Sequence, residues 1–538
     1  FILSPLLGYG FAFKLYVIAF LVTYPLFIYG ALRNFQFSRI TALIGSSLAV
    51  FFFHLSLCIN FVFCGMISYV FVCFFSLYVM SLLWKLFESF TWPRYILVTI
   101  SLSILVLMHI LAVVSLIIPV LVIYLNAMRR LSFRRHAMIM AIPIIVLIAN
   151  SFWLVPVVEF YDDKTTRPEN YEFTFQVKDS FEPFKVYFEQ ERSQDYGFPM
   201  LNNTFIDAIL LLFGIAGLYV WYREERRKLL PPFILGAFFL FCVTYYGSHS
   251  SFFALMQPQR FSLPLNLLLL IPASSALTIF VKNILSEKRK FHVFFLCALA
   301  FILLLKPVGR PFYLLFKYRL AHLNTQFPGQ LHLLLDFLEQ NTTTSGRILI
   351  EDSESTDQKG EEYYGSHFPA LFPEYLKREY LCGPRPLYPV KHSFASFTRG
   401  VLFERDIRSF TREELEKYFA IYNVKWIVSW FPESKKIFSR FPDYITKMSD
   451  IDKFTVYAVN RQPSFFLKGQ GSLAADYNRL ELSNVQALDG EVIIAYHWMK
   501  KFRAVPEARI EQVFIGGDPV GFIKIKNPPQ SFALINAY

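Results

Sequence analysis

The chain has 538 residues, 54% of them apolar, 18% aromatic and only 17% charged, with a formal net charge of +12. Soluble chains carry about 25% charged residues, so this balance excludes an ordinary water-soluble globular protein and points to membrane spans. Residues 1–308 hold 24 Lys+Arg and 15 Asp+Glu (+9), leaving 29 and 26 (+3) for 309–538; the cationic excess sits between apolar runs, which excludes nucleic-acid binding as its purpose and reads as loop asymmetry.

A helix crossing a hydrocarbon core of about 30 Å needs about 20 mostly apolar residues. Ten runs fit, near 11–31, 40–56, 64–84, 95–108, 110–127, 136–157, 203–222, 231–248, 261–281 and 292–308. The division at His109 is the least marked, because neither half is long. Alternate connectors are basic: Arg33 and Arg39; Lys85 and Arg94; Arg129, Arg130, Arg134 and Arg135; Arg223, Arg226, Arg227 and Lys228; and Lys282, Lys288, Arg289 and Lys290. By the positive-inside rule these face the cytoplasm. The loop 158–202, with 10 acidic and 5 basic residues, then faces outward, and so does everything after 308. A chain that opens at Phe1, outside, is expected to lack an earlier span and an outer loop. The first run has no small-residue cleavage site and is not read as a signal peptide.

Within that loop, Phe181, Phe184 and Phe188 recur at helical spacing opposite Glu182, Lys185 and Glu189. This describes an amphipathic helix, either lying in the membrane interface or packed on the outer domain. From 309 the pattern turns soluble. LHLLLDFLEQ (331–340) reads as a helix, RILIED (347–352) as a strand, and SFTREELEKYFAIY (409–422) as a helix with a Thr411/Glu414 capping box that leads into strand VKWIVSW (424–430). After 450 come short strands, FTVYAVN, EVIIAYHW and a pair around GGDP and FIKIKN, which predict a small β-sandwich. The expected architecture is a helical polytopic membrane domain over 1–308, an extracytoplasmic α/β domain over 309–450 and a β-sandwich-like domain over 451–538.

The six cysteines, Cys58, Cys64, Cys73, Cys242, Cys297 and Cys382, form no disulfide framework. The ten His show no His-x3-His or His-Glu-x-x-His, there is no Cys-x-x-Cys, and neither a P-loop nor a dinucleotide fingerprint is present, so no zinc site and no nucleotide cofactor is indicated. The remaining chemistry lies at the outer ends of the helices, where charge is costly and therefore informative. Arg260 is the one basic residue between Lys228 and Lys282. Its guanidinium suits a lipid phosphate or pyrophosphate, with Gln257 and His109 as neighbours in that role; the plainer account is an arginine snorkelling to a lipid head group or to Asp162. Asp162 and Asp163 fit a general base or a divalent-metal pair, although acidic pairs in solvated loops are commonly only that. His109 and His249 are read first as capping or packing histidines. Tyr496, His497 and Trp498 are candidates to stack on an acceptor sugar, although strand aromatics are more often core.

LSPLLGYGFAFKLYVIAFLVTYPLFIYGALRNF at the start, FWLVPVVEF (152–160), QPQRF (257–261), GRILIE (346–351), YNVKWIVSW (422–430), and AYHWMKKFRA with GGDPVGFIKIKNPP near the end together carry a resemblance. The layout resembles bacterial and archaeal polytopic proteins described as "membrane protein, 6-pyruvoyl-tetrahydropterin synthase-related", close to the YfhO-like proteins of the GT-C glycosyltransferase superfamily. The pterin label does not carry over, since a pterin synthase of that kind uses a three-His zinc site. The resemblance to GT-C proteins implies sugar transfer from a polyprenyl-phosphate donor on the outer face of the cell membrane to a glycan or protein acceptor, for envelope assembly. It also implies an acidic residue in a first outer loop; by that likeness the first span here corresponds to the family's second helix, and the loop would precede Phe1. Asp162 and Asp163 then stand in as catalytic carboxylates, Arg260, Gln257 and His109 as donor-phosphate ligands, and Tyr496 and Trp498 as acceptor contacts. No resident cofactor is implied, and a divalent metal is left open. A non-catalytic relative, a transporter or flippase of a lipid-linked precursor, and an envelope scaffold are the alternative functions.

Overall fold

In the computed structural model the described residues are 4–55, 58, 61–62, 66–161, 204–224, 226–254, 256–286, 329–352, 368–381 and 390–536. The expected span at 292–308, the amphipathic segment 180–192, and Asp162 and Asp163 fall outside them. The chain divides into two compact units, a helical one whose described part ends at residue 286 and a sheet-rich one whose described part is residues 160–161 and those from 329 onward.

In the first unit, helices α1 (Tyr9–Asn34), α2 (Arg39–Leu55), α3 (Ile67–Glu88), α4 (Trp92–Met108), α5 (Leu111–Ala127), α6 (Phe133–Ala149), α7 (Ser151–Glu159), α8 (Thr204–Arg223), α9 (Leu230–Tyr246) and α10 (Ser262–Ser286) occupy the apolar runs. Among the described residues, four helical stretches are long and apolar enough to cross a membrane: Gly10–Asn34, Ile67–Glu88, Leu111–Arg130 and Pro258–Asn283. A fifth is reached if α6 and α7, bent by 71° where they meet, count as one broken span. Pro25, Pro119, Pro143 and Pro272 lie inside helices, as spans tolerate where neighbours re-satisfy the freed backbone.

The apolar windows of α3 and of Pro258–Asn283 are 83% and 78% buried, against 28% and 33% for Gly10–Asn34 and Leu111–Arg130. The first pair therefore forms the centre of the bundle and the second its rim. Rim side chains such as Val22, Leu26, Leu121 and Leu125 are exposed, and so are Ile144, Leu147 and Ile148 of α6, a surface that suits lipid rather than water. Aromatic rings knit the centre, with Tyr24 stacked on Phe53 at 4.7 Å and Phe74 at 5.0 Å from Tyr24. Helices α8 and α10 meet backbone to backbone at Gly217, where a Cβ would lie 1.9 Å from the Pro272 carbonyl oxygen, and Trp221 Nε1 donates to Ser275 Oγ at 2.9 Å across the same seam. Small residues permit this approach.

Contacts between connectors gather four basic ones at one end of the bundle. Arg226 lies 4.3 Å over the Phe37 ring, Lys85 Nζ donates to Asn34 Oδ1 at 3.4 Å, Arg135 lies 5.9 Å over the Phe90 ring, and Glu88 sits between Arg130 and Lys228.

The second unit begins with helix α11 (Gly329–Asn341) and strand β1 (Arg347–Ile350). A five-stranded sheet follows, with β2 (Tyr380–Leu381), β6 (Val424–Ser429), β7 (Ile445–Ile451) and β8 (Phe454–Val459) in the order β2-β1-β6-β8-β7. Strands β2, β1 and β6 are parallel and β8 and β7 antiparallel additions. Strands β1 and β6 carry buried apolar residues on both faces because both faces are covered. Ile348, Ile350, Trp426 and Val428 pack with Leu331, Leu334 and Leu338 of α11, whereas Leu349 and Ile427 pack with Leu415 and Phe419 of α12 (Arg412–Ile421) and Ile437 of α13 (Pro432–Phe438). The Thr411/Glu414 capping box opens α12 as its spacing predicts. A three-stranded ribbon, β3 (Phe397–Thr398), β4 (Val401–Leu402) and β5 (Arg405–Asp406), precedes it.

FTVYAVN is the fourth strand of this mixed sheet and not the first of the sandwich, because β8 returns from β7 through a tight turn at Asp452 and pairs with β6. The change of architecture thus follows residue 459 rather than 450. Two four-stranded antiparallel sheets come next, β10-β11-β16-β13 and β14-β15-β12-β9, from β9 (Phe466–Lys468), β10 (Gln470–Asp476), β11 (Arg479–Gln486), β12 (Glu491–His497), β13 (Phe502–Val505), β14 (Arg509–Val513), β15 (Phe522–Lys526) and β16 (Phe532–Asn536). Leu480, Leu482 and Leu534 of one sheet and Val492, Ile494, Ile523 and Ile525 of the other form a common core, the arrangement of a sandwich.

Candidate functional site

The segment QPQRF enters α10 through a short turn whose shape its residues dictate. Gln257 is buried and left-handed (φ 54), its carbonyl accepts the Arg260 amide at 3.0 Å, and Pro258 then pre-sets the turn Pro258–Phe261. Pro258 and the fully buried Phe261 anchor the turn in the bundle. Arg260 is thereby held on a short, fixed lever at the start of a central helix.

Tyr69, in the first turn of α3, ties this lever to its surroundings. Its hydroxyl donates to the Arg260 carbonyl at 2.5 Å, and its ring lies 5.0 Å from the His109 imidazole. His109 breaks the chain between α4 and α5: it is extended (φ −167, ψ 112), its amide closes α4 on Leu105 at 3.1 Å, and its carbonyl accepts from Ala112 at 3.2 Å. The imidazole lies near enough for the Arg260 charge to act on it. His109 Nδ1 and Gln259 Oε1 are both buried without a hydrogen-bond partner among the described residues. Buried polar atoms are ordinarily satisfied, so two orphaned ones around the Arg260 turn mark a place equipped to take a polar ligand.

Gln257, Arg260 and His109, assigned together from sequence, are thus neighbours in space. His249 is exposed in the turn after α9. Tyr69 and Gln259 escaped the sequence reading, because a tyrosine in an apolar run and a second glutamine in a turn carry no periodic signal. The described part of the cluster contains no carboxylate. No group of three or more His, Cys, Asp or Glu able to hold a metal occurs among the described residues.

The acceptor candidates lie in the second unit and belong to internal networks there. Tyr496 donates to Glu379 Oε1, stacks on Phe465 at 5.6 Å, and lies under the Arg347 guanidinium at 4.5 Å. Arg347 is buried and donates to Glu379 at 2.8 Å and to the Ala495 and Tyr422 carbonyls at 2.8 and 3.1 Å. Trp498 is half-buried against the sandwich core, with its amide on the Gly521 carbonyl at 3.0 Å.

Two further polar centres lie in this unit. Glu351, fully buried just beyond β1, accepts from Gly400 N (2.8 Å) and Ser434 Oγ (2.6 Å) on one oxygen and from Ser429 Oγ (2.5 Å), Phe431 N (3.1 Å) and Trp430 N (3.2 Å) on the other. It occupies the crevice at the carboxyl ends of β1 and β6, where open α/β sheets commonly bind ligands. Burial pushes its carboxyl up, and the bonds from Ser429, Ser434, Gly400 and Phe431 pull against that shift. The second centre is Asp518, buried, with His497 Nε2 at 2.9 Å, the Tyr422 hydroxyl on the same oxygen, and the Val520 and Gly521 amides on the other. Burial alone would raise the Asp518 carboxyl, but these hydrogen bonds outweigh it and hold the carboxyl below the usual range. His392 Nδ1 continues the chain, 3.2 Å from His497 Nδ1.

No family model and no curated protein matches this chain.

Proposed function

We propose that this chain is a multi-pass membrane glycosyltransferase of GT-C-like build that takes a sugar from a polyprenyl-phosphate donor at the Gln257–Arg260–His109 cluster. The observation that carries the reading is the convergence of those three residues, with Tyr69 and Gln259, at one end of a helical bundle. In this reading ten spans, with the alternate basic connectors inside, leave this end and the sheet-rich unit outside. The gathering of those connectors at the opposite end supports that topology.

The guanidinium neutralises the phosphate that departs as the bond from the anomeric carbon to its oxygen breaks. An imidazole and an amide alongside orient the pyrophosphate or sugar hydroxyls. A carboxylate takes the acceptor proton as the new glycosidic bond forms. Asp162 or Asp163 is the stand-in for that base, three or four residues beyond the end of α7.

The test is transfer of labelled sugar from a panel of polyprenyl-phosphate donors by the full-length protein in liposomes, wild type against Arg260→Ala. Transfer that falls at least a hundredfold in a folded variant supports the enzyme and the phosphate role. Equal transfer by both proteins refutes the role of Arg260, and no transfer from any donor turns the reading to a non-catalytic relative or a scaffold. One observation favours a second reading: the 71° break between α6 and α7 is the kind of broken helix that transporters use. Movement of a labelled lipid-linked precursor across the bilayer without sugar transfer would select it.

A further inference from the structure

The end of the bundle opposite Arg260 holds a cavity of about 310 Å³ between the last turns of α3 and α5 and the start of α9. Trp84, Phe87, Ile123 and Pro231 wall its apolar side, and Arg130, Arg227, Lys228 and Glu88 stand at its polar side. The 19 residues of helix from Tyr69 to Glu88 separate it from the Arg260 cluster by about 28 Å, so the two sites are distinct.

Charge and spacing at this cavity do not close on themselves. Glu88 is the one carboxylate among its lining residues and three cations face it. Its two ion pairs are long, Lys228 Nζ at 3.8 Å and Arg130 Nη1 at 4.0 Å, beyond hydrogen-bond reach. Arg227 stays nearby by lying 5.1 Å over the Tyr222 ring. A pair of self-satisfied surface salt bridges would show direct contact and balanced charge. Here the cations are drawn together around a space, with two positive charges in excess and an apolar wall beneath.

We propose that this cavity binds a phosphate-bearing anion, with the head group of an anionic phospholipid as its source. Basic pockets between spans, at the end where cations cluster, are suited to such head groups. Arg130, Arg227 and Lys228 neutralise the phosphate, Asn126 supplies a further polar contact, and Trp84, Phe87 and Ile123 receive the glycerol and the upper acyl chain. The volume is at the small end for ligand pockets, which fits a head group rather than a whole lipid. Glu88 opposes the ligand by competing for the same cations.

The experiment uses the full chain purified in a neutral detergent. Retained lipid is counted by native mass spectrometry after exposure to mixed micelles of phosphatidylglycerol or of phosphatidylcholine, and separately to inorganic phosphate. Wild type is expected to retain phosphatidylglycerol over phosphatidylcholine. The Arg130→Gln/Arg227→Gln/Lys228→Gln variant should bind phosphatidylglycerol roughly a hundredfold more weakly, about fivefold per cation. Glu88→Gln, which removes the competing carboxylate and needs no buried rearrangement, should bind it more tightly. That gain keeps the test decisive even if the triple variant does not fold. Binding of inorganic phosphate by wild type and not by the triple variant, without retention of either lipid, would overturn the lipid source and assign the same anion site to a free phosphate. Equal retention of both lipids, or no change in the triple variant and in Glu88→Gln, overturns the proposal.

Discussion

Glu351→Gln is the most demanding test of the sheet-rich unit, because it changes one atom type and leaves shape intact. The five described hydrogen-bond partners of the carboxylate are donors, three of them backbone amides. A glutamine must place its own N–H2 against one set. The cheaper orientation faces Gly400 N and Ser434 Oγ, since the serine hydroxyl turns to accept while the Gly400 amide is left unpaired. One orphaned buried amide costs about 1–3 kcal/mol, and the demotion of the remaining charge-assisted bonds to neutral ones about 1 kcal/mol more. Relief of burying a charge, the effect that raises this carboxyl, offsets part of that. A net loss of about 2 kcal/mol follows, which is roughly a thirtyfold acceleration of amide exchange in a locally opening unit. The assay is hydrogen–deuterium exchange of the full-length protein, read at peptides containing Gly400 and Trp430–Phe431 and along β1 and β6. Glu433→Gln, at an exposed carboxylate in the first turn of α13, is the control and should change exchange by less than about twofold. If Glu351→Gln leaves protection at Gly400 and Phe431 as in wild type, the claim that this carboxyl organises the crevice by accepting on both oxygens is wrong.

Gly217→Ala should be among the most damaging single-carbon changes in the helical unit. The new Cβ would lie 1.9 Å from a backbone oxygen that no side-chain rotation can move, so α8 and α10 must separate and lose the Trp221–Ser275 bond. Overpacking of this kind costs about 1–3 kcal/mol or more. The melting temperature in detergent should drop clearly, and by more than for Gly214→Ala, whose Cβ would meet Leu269 at 3.3 Å, a tight contact that a shift of a few tenths of an ångström relieves; a reversed order would discredit the seam. At Gln257 the left-handed backbone tolerates Asn better than a β-branched residue, so Gln257→Val should be less stable than Gln257→Asn by about 1–2 kcal/mol, and identical melting curves would contradict the strained turn. The Asp518 carboxyl is held below its usual value, so its contribution to stability is present above the unfolded pKa of about 4 and is lost as pH falls through the lower folded value. The stability gap between wild type and Asp518→Asn should therefore be full at pH 7 and shrink below about pH 4. A gap independent of pH down to about 2 would show that the carboxylate charge is not what His497 and Tyr422 hold.

The helices of the bundle were legible in sequence because apolar length is a local property: nine of the ten predicted segments are helical, and the tenth lies outside the described residues. The capping box at Thr411 and the strand Val424–Ser429 were legible for the same reason, a short pattern answering to a short-range force. The strand FTVYAVN was assigned to the wrong sheet because strand spacing reports pairing only with neighbours in sequence. Its bond to β6 is a nonlocal pairing that no local pattern encodes.

The same division runs through the sites. Arg260 announced itself by standing alone between apolar runs, and Gln257 came with it in the same turn. That Tyr69 and His109 join them, and that Gln259 and His109 keep buried polar atoms there, depends on which helices become neighbours. Glu351 and Asp518 passed unnoticed since a carboxylate in a polar half looks solvated until tertiary packing removes its water and supplies donors in its place. Composition and periodicity by themselves determined a membrane-suited helical half followed by a sheet-rich half, because hydrophobic burial is proportional to area and is written residue by residue. Which polar groups meet, and in what electrostatic surroundings, was decided only by the tertiary structure, because hydrogen bonds and charges act over a few ångströms between residues far apart in the chain.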